Sequence, residues 1–168
     1  MSLKIAVSQS DHVQGNLNAG LTIVEYGDYQ CPYCGAAYPV LKKLMKEYGQ
    51  QLKFVFRNFP LSEMHEYALA AAIAAEAAGL QNKFWQMHDA IYENQEQLNE
   101  QYLFTLAEKV GLDIQQFKAD IRRAELTDRI EADFQGGIMS GVNGTPSLYV
   151  NAKKFEGSAE DLYQLLGE

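Results

Sequence analysis

The sequence predicts an α/β protein, and three stretches carry that expectation. Residues 21–26 (Leu-Thr-Ile-Val-Glu-Tyr) are an apolar, β-rich run; Cys31-Pro32-Tyr33-Cys34 and a helical pattern over 36–48 follow. Residues 52–57 (Leu-Lys-Phe-Val-Phe-Arg) alternate as a second strand, so the first third reads as strand, helix, strand. After a long helical stretch, residues 147–150 and 153–156 flank Asn151-Ala152 as a hairpin. The sum is βαβ, a block of helices, then ββα.

Taken in order, residues 3–7 predict a short first strand, and the polar Gly/Asn-rich residues 8–20 a surface approach to the core. Residues 21–26 are the central strand. Pro39 falls inside the first helix and predicts a kink near Gly35, with Val40, Leu41, Leu44 and Met45 as the core anchor and Gly49 as the stop. The strand–helix–strand spacing implies a crossover between two parallel strands. Residues 63–78 are Ala-rich and predict a helix ending at Gly79. Residues 83–92 place Phe84, Met87, His88 and Ile91 on one stripe. Residues 101–110 align Tyr102, Leu106 and Val110. Asp113 with Gln116 resembles a capping box, and Thr127 predicts a cap for a helix carrying Ile130 and Phe134. Gly136, Gly137, Gly141 and Gly144 predict a loosened segment. Ser158 predicts a cap for a last helix over 159–166.

The chemistry concentrates at Cys31-Pro32-Tyr33-Cys34. Pro32 suits the first helical position, where a missing N–H costs nothing. Cys31 then occupies the cap and Cys34 lies one turn further in, close enough for the sulfurs to bond. The free N–H groups and positive dipole end of the helix favour a thiolate at Cys31. An asymmetric pair follows, with Cys31 exposed and nucleophilic and Cys34 buried and resolving. A structural zinc site needs four ligands, whereas the chain has two cysteines and the scattered His12, His65 and His88. A purely structural bridge across two residues closes almost no loop and gains little chain entropy. Redox chemistry is the stronger reading of C-x-x-C between strand and helix.

Composition bounds the partners. At 168 residues, with 47% hydrophobic and 21% charged residues, the chain suits one soluble domain with a full core. A formal net charge of −8 argues against nucleic acid or an anionic membrane as partner. The longest small-apolar run, residues 68–75, is too short to span a bilayer, so no membrane insertion is expected. Residues 1–14 contain one lysine and no extended apolar core, unlike a signal peptide. As the sequence stands it reads as cytoplasmic, or as periplasmic or envelope-located if a leader was trimmed. Two cysteines in one motif fit a reducing or an oxidising compartment. No Gly-rich phosphate loop occurs, and no metal, nucleotide or flavin cofactor is expected. A monomer is expected.

Three separated motifs, Glu-Tyr-Gly-Asp-Tyr-Gln-Cys-Pro-Tyr-Cys (25–34), Phe-Arg-Asn-Phe-Pro-Leu (56–61) and Gly-Val-Asn-Gly-Thr-Pro-Ser (141–147), stand around the helical block. Together the four features resemble the DsbA-like thiol–disulfide oxidoreductases, particularly bacterial thioredoxin-fold proteins, over about residues 11–166. The resemblance implies a thioredoxin fold over 1–61 and 139–168, with a helical domain inserted at 62–138. It implies that Pro146 is the cis-proline facing the cysteines, although local sequence alone favours a trans proline opening an edge strand. Thr145 would then offer its N–H and C=O to a substrate strand beside Cys31. It also implies that Glu25 is a buried acid beneath the pair that takes the Cys34 proton; strand parity alone leaves it buried or solvent-facing. Pro32 and Tyr33 would tune the thiolate.

Of the other residues singled out, His65 is a candidate modulator of the thiolate, while His12 and His88 read as structural or surface groups. Trp85 and Met87 read as core, Tyr29 and Phe59 as candidate borders of an apolar peptide groove, and Asp28 as a turn residue. The implied activity is formation, reduction or exchange of protein disulfides through a mixed disulfide, with protein or peptide thiols and a redox partner as reactants. The alternatives are a reductase or isomerase of glutaredoxin type, and a non-enzymatic peptide- or metal-binding module of the same fold.

Overall fold

A computed structural model describes residues 1–167. A five-stranded sheet is built from β1 (His12–Gly15), β2 (Leu21–Gly27), β3 (Leu52–Asn58), β4 (Ser147–Val150) and β5 (Lys153–Phe155), in the order β1-β3-β2-β4-β5. β2 is central: it runs parallel to β3 and antiparallel to β4. Helix α1 (Pro32–Tyr48) connects β2 to β3, as the parallel pairing requires. Between β3 and β4 stand α2 (Ala68–Leu80), α3 (Phe84–Glu93), α4 (Glu100–Lys109), α5 (Ile114–Asp120) and α6 (Ala124–Met139). The chain is thus an α/β protein in the predicted βαβ–helices–ββα order.

The central strand is buried on both faces, because helices cover the sheet on either side. Ile23 packs into a large core with Cys34, Leu41, Leu44 and residues of α2 to α5. Val24 and Tyr26 pack on the other side with Val55, Phe59, Val142 and Tyr149. Glu25 shares the parity of Ile23 and is 2% exposed, so it is buried on the helix-covered face.

Several local expectations change. Residues 3–7 form no strand; β1 lies instead at His12–Gly15, inside the segment read as a surface approach, and pairs with β3. The segment is held otherwise: the buried Arg57 guanidinium donates to the carbonyls of Ile5 and Ala6, Lys4 N–H donates to the Ser140 hydroxyl, and an isolated bridge with a bond from Leu3 N–H to the Ala152 carbonyl ties its start to the hairpin. α2 begins at Ala68, not 63, because the preceding turn is tied down by distant side chains: Leu61 N–H donates to Asp28 and Tyr67 N–H to Gln30. α4 is capped by Asn99 and buries Leu103, Leu106 and Ala107 rather than the stripe through Tyr102 and Val110. α6 starts at Ala124, placing Thr127 one turn inside, where its hydroxyl bonds the Ala124 carbonyl.

Gly136 and Gly137 lie within α6 and serve contact rather than looseness. A Cβ on Gly137 would lie 2.8 Å from the Phe59 ring and 3.1 Å from Tyr26. The final helix is a 3-10 segment, Glu160–Leu165, with Ser158 and Asp161 exchanging backbone and side-chain bonds at its start. The hairpin turn holds Asn151 and Ala152 at φ 46° and 69°.

Candidate active site

Cys31 caps α1 in an extended conformation and Pro32 takes the first helical position. No acidic residue occupies the first turn and no side chain caps it, so its N–H groups stay available to the cap residue. The Cys31 N–H closes a turn on Asp28, and Gly35 N–H makes the first helical bond back to the Cys31 carbonyl. Both cysteines are free thiols, 3.9 Å apart.

Cys31 is 4% exposed and Cys34 fully buried, so the expected contrast in exposure is slight. Cys31 is roofed by the backbone of residue 145, and its thiol donates to the Thr145 carbonyl at 3.5 Å. The contrast is electrostatic instead. The Cys34 thiol hydrogen-bonded to Cys31 is the largest influence holding Cys31 down to about 5; it outweighs burial, with help from Thr145 and the N–H groups of Cys34 and Tyr33. Burial pushes Cys34 well up, and its bond to Cys31 and the charge of Glu25 push the same way. The helix N-terminus therefore contributes, but second to the neighbouring thiol.

The Thr145–Pro146 peptide bond is cis. The Thr145 hydroxyl is buried with no hydrogen-bond partner, beside Cys31. With Cys31 ionised the thiol no longer donates to the carbonyl, and this hydroxyl is the donor at hand. Beneath the pair, burial and then the negative charge of Cys31 raise Glu25 to about 8. Pro32 and Tyr33 are exposed, Tyr33 by 75%.

Two groups hold this loop that spacing alone did not single out as part of the site. Gln95, in the 3-10 turn Gln95–Gln97 after α3, donates to the carbonyls of Tyr29 and Cys31 at 2.9 and 2.8 Å. Gly35 makes room for it, since a Cβ there would collide with the Gln95 amide. Asp28 is more than a turn residue. It is buried, and its carboxylate accepts from the Gln30 and Leu61 N–H groups and pairs with His65 Nδ1 at 2.7 Å. Its own N–H points to Cys34 Sγ at 3.5 Å. His65 thus meets Asp28, and through it the Cys34 side of the pair.

Tyr29 and Phe59 do not border a groove: both are at most 2% exposed. Tyr29 bonds buried His88 Nδ1 at 2.9 Å, and Phe59 stacks on Phe134. Burial pushes His88 down to about 3, so it is neutral. His12 stacks on Phe84 and pairs with Glu76. Met87 is fully buried, and Trp85 bonds the Val13 carbonyl. Among the described residues no group of three or more His, Cys, Asp or Glu is placed to hold a metal, and no helix is long and apolar enough to cross a membrane.

The profile of a thioredoxin family matches residues 7–167. A thioredoxin-like oxidoreductase from Silicibacter pomeroyi DSS-3 superposes with TM-score 0.82 at 30% identity, over 95% of this chain and 92% of that one. The fold is also that of the thiol-disulfide exchange protein alpha-DsbA2 from Wolbachia pipientis: TM-score 0.84, 24% identity, 95% of this chain and 86% of that one. Among curated proteins, the Na(+)/H(+) antiporter NhaA 1 of Salinispora arenicola is 41% identical over 148 residues, 88% of this chain and 22% of the antiporter. This chain thus spans less than a quarter of that relative's length. The chain belongs to the thioredoxin family and shares its architecture with the DsbA-like thiol–disulfide oxidoreductases.

Proposed function

We propose that this chain catalyses thiol–disulfide exchange on protein or peptide cysteines, with Cys31 as the sulfur that partners attack and Cys34 as the resolving thiol. The observation that carries this reading is the electrostatic split of the pair: Cys31 drawn down to about 5, Cys34 pushed well above an ordinary thiol. A thiolate so stabilised is a good leaving group and favours the reduced dithiol, so the protein is poised to oxidise its clients. A client thiolate attacks the Cys31–Cys34 bridge at Cys31. The Cys31–client bond forms, the bridge breaks, and Cys34 leaves and takes a proton from Glu25. A second client thiol then displaces Cys31, leaving the client oxidised and the protein as dithiol. A redox partner restores the bridge. Thr145 supplies backbone groups for an extended client segment beside Cys31. A catalyst of this poise suits an oxidising compartment.

Cys34→Ser is the direct test. The variant is expected to accumulate mixed disulfides through Cys31 with reduced client proteins, resolved by added dithiothreitol. Loss of all trapping, together with metal retained on the purified wild type, would favour the peptide- or metal-binding reading instead. A dedicated reductase would reduce insulin faster than it oxidises a reduced peptide.

A further inference from the structure

Residue 28, between β2 and α1, touches both cysteines through its backbone. Its N–H points to Cys34 Sγ at 3.5 Å, and its carbonyl accepts the Cys31 N–H at 3.1 Å. Among the described residues this N–H is the one group that donates to the fully buried Cys34 sulfur. The Asp28 side chain is itself fully buried and is clamped by three donors: the Gln30 N–H at 2.8 Å, the Leu61 N–H at 3.0 Å and His65 Nδ1 at 2.7 Å. A carboxylate only accepts, so Nδ1 carries the hydrogen. Gln30 belongs to the same turn as Asp28. Leu61 and His65 come from the segment before α2, where the His65 N–H closes on the Leu61 carbonyl at 2.9 Å. His65 is the one side chain among the three donors.

We infer that the Asp28 N–H meets the charge that gathers on Cys34 during exchange, and that His65 is a positioning residue that holds this N–H in place through the Asp28 carboxylate. The inference rests on the reading of Cys34 as the resolving thiol. Cys34 passes through a thiolate in either direction. When a client thiolate attacks Cys31, the Cys31–client bond forms, the bridge breaks and Cys34 leaves as thiolate. When Cys34 resolves a mixed disulfide, it gives its proton to Glu25 and attacks Cys31; the Cys31–Cys34 bond forms, the Cys31–client bond breaks and the client leaves as thiolate. Each time the charge gathers on a sulfur that water does not reach. A hydrogen bond to an ionised group is about twice as strong as one between neutral groups. The Asp28 N–H therefore stabilises the thiolate more than the resting thiol, as a fixed donor aimed at developing charge does. It already pulls Cys34 against the burial that pushes it up. Cys31 is served separately, by the Cys34 thiol, Thr145 and the N–H groups of Cys34 and Tyr33. His65 thus acts on the Cys34 steps and not on the Cys31 thiolate. Without Nδ1 the buried carboxylate is one donor short, and residue 28 turns to compensate, taking its N–H off the sulfur.

The experiment separates the two sulfurs in one stopped-flow trace. Reduced protein is mixed with a large excess of a chromogenic aromatic disulfide at neutral pH. The first aromatic thiolate released reports attack by Cys31, and the second reports attack by Cys34. His65→Ala is expected to slow the second release about 3- to 10-fold, the loss of one hydrogen bond to a charged group partly offset by the higher nucleophilicity of a less stabilised thiolate. The first release is expected to stay unchanged. His65→Asn keeps an N–H donor near the place of Nδ1 and is expected to restore the second release. Slowing of the first release as much as the second, or more, would mean a general loosening of the loop and overturn the inference. An unmoved second release would overturn it too, as would a His65→Asn variant no faster than His65→Ala. If the wild type itself gave no second release, the exchange reading would fall first and the role of His65 with it.

Discussion

Two glutamates are buried almost equally and treated oppositely. Glu25 is 2% exposed and Glu76 3%. Glu76, in α2, is surrounded by partners: His12 Nε2 at 2.9 Å from β1, Asn58 Nδ2 at 2.9 Å from β3, and Arg129 Nε at 3.0 Å from α6. Burial alone would raise its pKa, but those bonds and charges outweigh it and hold the carboxyl below its ordinary value. Glu25 has no such partners, and burial lifts it to about 8. The same side chain, equally dry, is held as an anion by its partners in one place and is lifted toward the neutral acid in the other. Burial does not distinguish the two; the count of compensating donors does.

The largest effect is expected at Glu25. Its unfolded carboxyl titrates near 4.5 and its native one near 8, so the native state binds the proton longer. Stability is then highest below pH 4.5 and falls as pH rises to 8, by up to about 4–5 kcal/mol. Glu25→Gln should remove that slope, so chemical denaturation at pH 9 should find the variant more stable than wild type although it resolves disulfides far more slowly.

Glu76→Gln should do the reverse. It leaves His12 and Arg129 without their anion and should cost about 3 kcal/mol at pH 7, with the Cys31 titration and the resolving rate unmoved. Because the native pKa of Glu76 is depressed, its contribution is present above pH 4.5 and is lost as pH falls through the native value. Urea denaturation of wild type and variant at pH 7 and pH 3 should therefore converge at the lower pH.

A smaller change sharpens the contrast. Gly27 lies two residues after Glu25, and a Cβ there would stand 2.7 Å from Glu25 Oε1, 2.6 Å from the Phe56 ring and 3.1 Å from the Tyr92 hydroxyl. Gly27→Ala should displace the carboxyl and cost about 1–3 kcal/mol. The pH limb assigned to Glu25 should shift, which a purely steric core defect elsewhere would not cause.

What the sequence made legible was local. The apolar run of β2, the alternation of β3, the proline after Cys31 and the Asn151-Ala152 turn each specify an element within a few residues. The site's supports were less legible because their partners lie far along the chain. Gln95 reaches the Cys31 carbonyl across 64 positions, and Asp28 meets His65 across 37. Parity gave no answer for Glu25 because both faces of β2 are covered. Residues 3–7 were expected as a strand on their own pattern, yet their carbonyls serve Arg57, 52 positions from Ile5. Glu76 carries its own signal in the sequence: a lone carboxylate in an Ala-rich helix has to be compensated if that helix is buried.

The most direct measurement is a pH titration of the Cys31 thiolate in the reduced protein, read by its ultraviolet absorbance and by its alkylation rate. An apparent pKa near 5 is expected, rising in Cys34→Ala, because the Cys34 thiol is the largest influence holding it down. A value near that of free cysteine, about 8.5, unmoved by Cys34→Ala, would contradict the split between the two sulfurs on which the proposed exchange depends.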